Sequence, residues 1–147
     1  MAQSDLLARS ERLFNRLNLD YGRQDDGSLV VPTEDDRPIL VATRLATDGG
    51  GRDWPVLRFI VYVLEDVEPA QADMDLLVSA NEASGFGSVI LIRDVKAVVV
   101  FHEAVGWPGD AEFRVTLELM ASSRGLVEEF LAGRIVGTVP LGYSDLV

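Results

Sequence analysis

The chain has no cysteine, one histidine (His102) and one lysine (Lys96). Without cysteine there is no disulfide, no thiolate nucleophile and no sulfur ligand for a metal. A zinc site would rest on His102 and carboxylates alone, a poor donor set for that ion. Ser-His-Asp hydrolysis has no Gly-x-Ser-x-Gly elbow to sit on. His102 and Glu103 are strand neighbours whose side chains point to opposite faces, so they form no dyad. No catalytic residue, metal or cofactor is expected.

Long apolar runs are also missing: none approaches the ~20 residues of a membrane span. The first residues, Met1 to Arg9, lack a basic stretch followed by an apolar one of signal-peptide length. The expectation is a soluble, cytoplasmic chain, and the absence of cysteine leans towards the same reducing compartment. Bases are scarce, 13 against 24 acids, for a net charge of −11. Such a chain is repelled by nucleic-acid phosphates and by an anionic membrane surface, and no basic stripe offsets this. The acidic exterior favours solubility, which suits a protein that shows apolar patches.

What is present is one domain's worth of chain, 147 residues, enough to bury roughly 70% of the surface its unfolded form exposes. Ser4 can cap a helix to about Leu19, with Leu6, Ser10, Leu13, Phe14 and Leu17 on one stripe. Asp25-Asp26-Gly27 is a turn signal, followed by a short strand, Ser28 to Pro32. Strands from Pro38 to Thr47 and Trp54 to Leu64 flank the glycine loop Asp48 to Asp53. A second helix is predicted over Ala70 to Ser84, with Met74, Leu77, Val78 and Asn81 as its stripe. Strands Gly87 to Arg93 and Lys96 to Glu103 form a tight hairpin. Asp110 caps a last helix to about Ala132, striped by Phe113, Leu117, Met120, Arg124, Val127 and Leu131. The order α-β-β-β-α-β-β-α with short loops between strands gives an α+β domain with one antiparallel five-stranded sheet. The apolar tail, Ile135 to Val147, is either docked loosely or used for contact.

The stretch Asn81-Glu82-Ala83-Ser84-Gly85-Phe86-Gly87 invites a phosphate-loop reading, but its polarity is wrong. A phosphate loop runs from a strand through glycines into a helix N-terminus. Here a helix ends first, and the partial negative charge of its C-terminus repels an anion. Gly85 suits the left-handed residue that closes a helix. Phe86 reads as a core plug, Asn81 as an amide bonded to backbone at the joint, and Glu82 as a solvated carboxylate. The acidic clusters Asp25-Asp26 and Glu34-Asp35-Asp36, and the Asp48 to Asp53 loop, lack the alternating ligands of a calcium loop. They read as solvated.

That joint, within Leu76 to Phe101 and mainly through Leu77, Asn81, Glu82, Phe86 and Gly87, resembles the YbjN-like domains, relatives of the type III secretion chaperones. The order of elements is similar over nearly the whole chain. Arg93-Asp94-Val95-Lys96 departs from the pattern, lacking the glycine expected at the hairpin turn. The resemblance implies a small, non-enzymatic, often dimeric domain that binds polypeptide segments.

Side-chain parity sorts the strands into two faces. One collects Ile39, Val41, Leu45, Leu57, Phe59, Val61, Val63, Ile90, Ile92, Val99 and Phe101, a plain core. The other collects Leu40, Ala42, Arg44, Val56, Arg58, Ile60, Tyr62, Val89, Leu91, Arg93, Val98, Val100 and His102. A wet sheet face should be polar, and this one is largely apolar with arginines and a tyrosine, as interfaces are. A helix, a second subunit or a peptide covers it. The candidate partner-binding residues are Arg44, Arg58, Tyr62, Arg93 and His102, and strand edges offer a further route to an extended client. The alternatives are a small-molecule pocket between helices and sheet using Glu82 or His102, and a structural homodimer without a client.

Overall fold

A computed structural model describes residues 3–34 and 37–140, with the backbone alone for Gln3 and Ser4. The described elements run α1 (Gln3–Arg16), β1 (Gly22–Arg23), β2 (Leu29–Val31), β3 (Ile39–Thr47), β4 (Asp53–Leu64), α2 (Met74–Ser84), β5 (Ser88–Ile92), β6 (Ala97–Val105) and α3 (Asp110–Leu131). All the strands join one antiparallel sheet in the order β1-β2-β3-β4-β6-β5. The fold is therefore α+β, as expected, with one strand more than the five read from sequence. That strand, β1, carries no alternation to betray it. It forms because the Asp26-Gly27 turn folds the chain back so that Gly22 meets Val30. Asp26 holds the turn by accepting from the N–H and the hydroxyl of Ser28 at 2.9 and 2.6 Å.

Helices α1 and α3 pack on one face of the sheet. The stripe Leu6, Ser10, Leu13, Phe14 and Leu17 is buried, as is the α3 stripe from Phe113 to Leu131. The rings of Phe14 and Phe59 lie 5.2 and 5.6 Å from that of Phe113, so one aromatic from each helix meets the centre of β4. Burying each such side chain contributes about 1.5–3 kcal/mol. Arg16 and Asp110 tie the two helices at the surface with an ion pair of 2.6 Å.

Four helix details differ from the sequence expectation. Ser4 lies inside α1 rather than at its cap. Asp110 is the first helical residue of α3, and the cap position is Gly109. The second helix does not begin at Ala70. A short 3-10 turn, Pro69–Gln71, comes first, and Asp73 caps α2 by accepting from the Leu76 N–H at 2.9 Å. The face that α2 buries is also rotated: Met74 and Val78 are exposed, while Ala80 and Ser84 are buried. Small residues win there because they let α2 lie close beside α3, where Ser123 donates to the Ser84 carbonyl at 2.8 Å.

The two sheet faces differ from the parity reading in β5 and β6. Cross-strand partners share a face, and the pairs are Phe59–His102, Val61–Val100, Val89–Val100 and Leu91–Val98. Val89, Leu91, Val98, Val100 and His102 therefore lie on the helix-covered face. Ile90, Ile92, Val99 and Phe101 lie on the other, beside Ile60 and Tyr62. A one-residue slip inverts a strand completely, and a run apolar at every position, Ala97 to Phe101, gives no sign of which side is which. A bulge in β4 between Tyr62 and Leu64 shifts the register further.

Candidate functional site

The sheet face turned away from the helices is the candidate site. Across it run lateral rows: Arg44–Val56–Val105, Ala42–Arg58–Glu103, Leu40–Ile60–Phe101 and Tyr62–Val99–Ile90. Leu40, Ile60, Tyr62 and Phe101 are half-buried, Ile90 and Val105 are exposed at 37% and 71%, and Val56 and Val99 are buried. The surface is thus apolar with a charged band across it.

That band is built by register. Arg58 stands directly opposite Glu103 and donates to its Oε1 through Nη2 at 2.7 Å and Nε at 3.2 Å. Arg44, one row away, donates to Oε2 at 3.1 Å. One carboxylate holds two guanidinium groups, leaving a surplus positive charge on the face of an acidic protein. The hydrogen bonds from Arg58 pull the Glu103 pKa below the usual glutamate range. Partial burial opposes this, and the charge of Arg58 and the contacts of Arg44 add to it.

The expected site residues are only partly brought together. Arg44, Arg58 and Tyr62 share the open face, and the sequence missed Glu103, which joins the two arginines. Its signal was present: a carboxylate next to His102 on the same strand takes the face that His102 leaves. His102 is a correction, because it lies under the helices, with its ring 4.6 Å from Phe86 and 6.1 Å from Phe59. Arg93 is exposed in the 3-10 turn Arg93–Val95, at the end of β6 roughly 20 Å along the strand from Glu103. It is not part of the cluster.

The joint after α2 is structural. Gly85 adopts φ 78°, and Gly87 packs so closely that a Cβ there would lie 2.3 Å from Val100 Cγ1. Phe86 packs half-buried against the core, and Glu82 is exposed. Nor do the acidic loops offer free ligands at Asp26 or Asp48. Asp48 accepts from the indole N–H of Trp54 at 3.0 Å and from the N–H groups of Gly50 and Arg52, which hold its pKa below the usual range. Of the Glu34-Asp35-Asp36 cluster, Asp35 and Asp36 lie outside the described residues. Among the described residues no three His, Asp or Glu side chains gather as metal ligands, and no helix is long and apolar enough to cross a membrane.

A cleft of about 740 Å³ opens between α3 and the β2–β3 connection, lined by Leu19, Val31, Ile39 and Leu117 with Arg114 and Glu118 among its polar groups. Neither Glu82 nor His102 lines it. No known family model matches the chain, and no characterised protein matches it in sequence.

Proposed function

We infer that this chain is a non-enzymatic, chaperone-like module that binds polypeptide, as a homodimer or with a client, in the manner its likeness to YbjN-like domains implies. One observation carries the reading. The face holding Leu40, Ile60, Tyr62 and Phe101 leaves these side chains half-exposed although Val56 and Val99 among them are buried, while the helices are spent on the opposite side. Apolar side chains around a desolvatable arginine pair are what partner surfaces favour. The arginine surplus selects an acidic segment, and the acidic remainder of the surface keeps the free protein from self-association elsewhere.

Strand edges contribute less than expected. The outer edge of β5 at Val89 is already occupied by the side chain of Asn81, and the opposite edge strand, β1, is two residues long.

Native mass spectrometry on gently purified protein tests the reading, with Arg58→Glu as the comparison. The variant should remain folded, since a half-exposed cross-strand charge pair contributes only about 0.2–1 kcal/mol. A dimer or client mass should be present in the wild-type protein and lost in the variant. A bare wild-type monomer would remove the support. The cleft beside α3 favours a second reading, a small-molecule site, because its volume suits one. A ligand screen by thermal shift separates the two.

A further inference from the structure

After α3 the chain turns at Gly133 (φ 79°) and continues as an extended strap, Ile135 to Pro140. From Val136 onward the strap is held at every second residue, through its backbone. The Gln71 side-chain amide accepts from the Val136 N–H at 2.8 Å and donates to its carbonyl at 3.4 Å. Glu65 exchanges two backbone bonds of 2.8 Å with Thr138. Arg37 donates to the Pro140 carbonyl at 3.2 Å, while its other nitrogen bonds Glu128 at 3.4 Å. This period of two is that of a β-strand, and the slot lies where β4 has run beyond its pairing with β3, which reaches Leu40–Ile60.

The side chains contribute much less. Val136 and Val139 are 77% and 48% exposed, and Ile135 is the one buried anchor of the strap. Between the clamped residues sits Gly137. A Cβ there would lie 2.9 Å from the Glu65 carbonyl oxygen and from Val67 Cγ2, and 3.2 Å from Leu64 Cβ. The slot therefore reads shape at one position and backbone at the others. Beyond Pro140 it borders a cleft of about 240 Å³ that includes Leu40 and Tyr62 of the open sheet face.

We propose that this slot is a peptide-binding site for an extended segment with glycine between two backbone-clamped residues, and that Ile135 to Pro140 is its resident occupant. A segment held by backbone bonds with little apolar burial opens easily, and an incoming strand would remake the same bonds. The site deepens the polypeptide-binding reading but uses residues separate from Arg44, Arg58 and Glu103, so each can fail alone.

The test uses the full chain carrying Gly137→Val, which expels the resident segment, and a fluorescent peptide copying Gly133 to Pro140. Anisotropy should show the peptide binding this variant at least about tenfold more tightly than the wild-type chain. The peptide's own Gly137→Val form should bind about tenfold or more weakly. Adding Gln71→Ala to the chain should weaken binding. No binding to a folded Gly137→Val chain, or equal binding of the two peptides, overturns the proposal. Should that variant not fold, hydrogen exchange on the wild-type chain decides. Excess peptide should speed exchange at Val136 and Thr138 while Glu65 stays protected, and unchanged exchange at both overturns it.

Discussion

The side-chain amide of Asn81 acts as a strand beside Val89. Its Oδ1 accepts from the Val89 N–H at 2.7 Å, and its Nδ2 donates to the Val89 carbonyl at 3.0 Å and to the Leu77 carbonyl at 2.8 Å. The outer edge of β5 is thereby satisfied at Val89, and α2 is fixed to the sheet. Asn81→Ala strands both Val89 groups and should cost about 1–2 kcal/mol, read from urea midpoints. Asn81→Asp keeps the acceptor, loses the donor and should also speed amide exchange across β5. Unchanged stability in both would mean water replaces the amide freely.

Gly87 is the second prediction. A Cβ there meets Val100 Cγ1 at 2.3 Å, the Phe101 carbonyl at 3.2 Å and Met120 Sδ at 3.3 Å. Overpacking of this kind costs about 1–3 kcal/mol, so Gly87→Ala should lower the melting temperature by several degrees. Gly49→Ala has open space around its Cβ and serves as the control.

Acid should weaken the sheet face through Glu103. Its folded pKa lies below the ordinary 4.5, chiefly because Arg58 donates to it. A depressed carboxylate stabilises the fold above its unfolded pKa, and that contribution is lost as pH falls through the lower, folded value. Glu103→Gln should therefore be less stable than wild type at neutral pH, and the gap should close as pH drops below 4.5. Denaturant midpoints at several pH values check this. A gap constant with pH would show that Glu103 acts by packing alone.

Lys96 supplies the turn conformation that a glycine was expected to supply. It closes the β5–β6 hairpin at φ 51°, ψ 45°, a left-handed backbone that costs a side-chain-bearing residue about 1–2 kcal/mol. Lys96→Gly removes that strain but restores chain entropy to the unfolded state and loses an exposed ion pair with Glu68. The net should be a gain of about 0.5 kcal/mol, measured as a raised urea midpoint; a loss would mean the ion pair outweighs the strain.

Periodicity made α1 and α3 legible because each buries a stripe wide enough to dominate its sequence, from Leu6 to Leu17 and from Phe113 to Leu131. It failed for α2, where Ala80 and Ser84 face inward and the larger Met74 and Val78 do not. There the contact is set by how closely two helices approach, which hydrophobicity does not encode. Arg44, Arg58 and Tyr62 were legible as one face because β3 and β4 alternate cleanly. Glu103 was not, since its side depended on how β6 registers against β4.

The sequence by itself determined the α+β class, the exclusion of cysteine chemistry and the helix-to-strand joint at Gly85, because each follows from local backbone preference or from a side chain's absence. Only tertiary structure decided that His102 lies on the helix-covered face and Glu103 on the open one, and that Gln71, Glu65 and Arg37 clasp the strap at Val136, Thr138 and Pro140. Strand register and contacts between distant segments arise from packing the whole chain, and no short window of residues contains them.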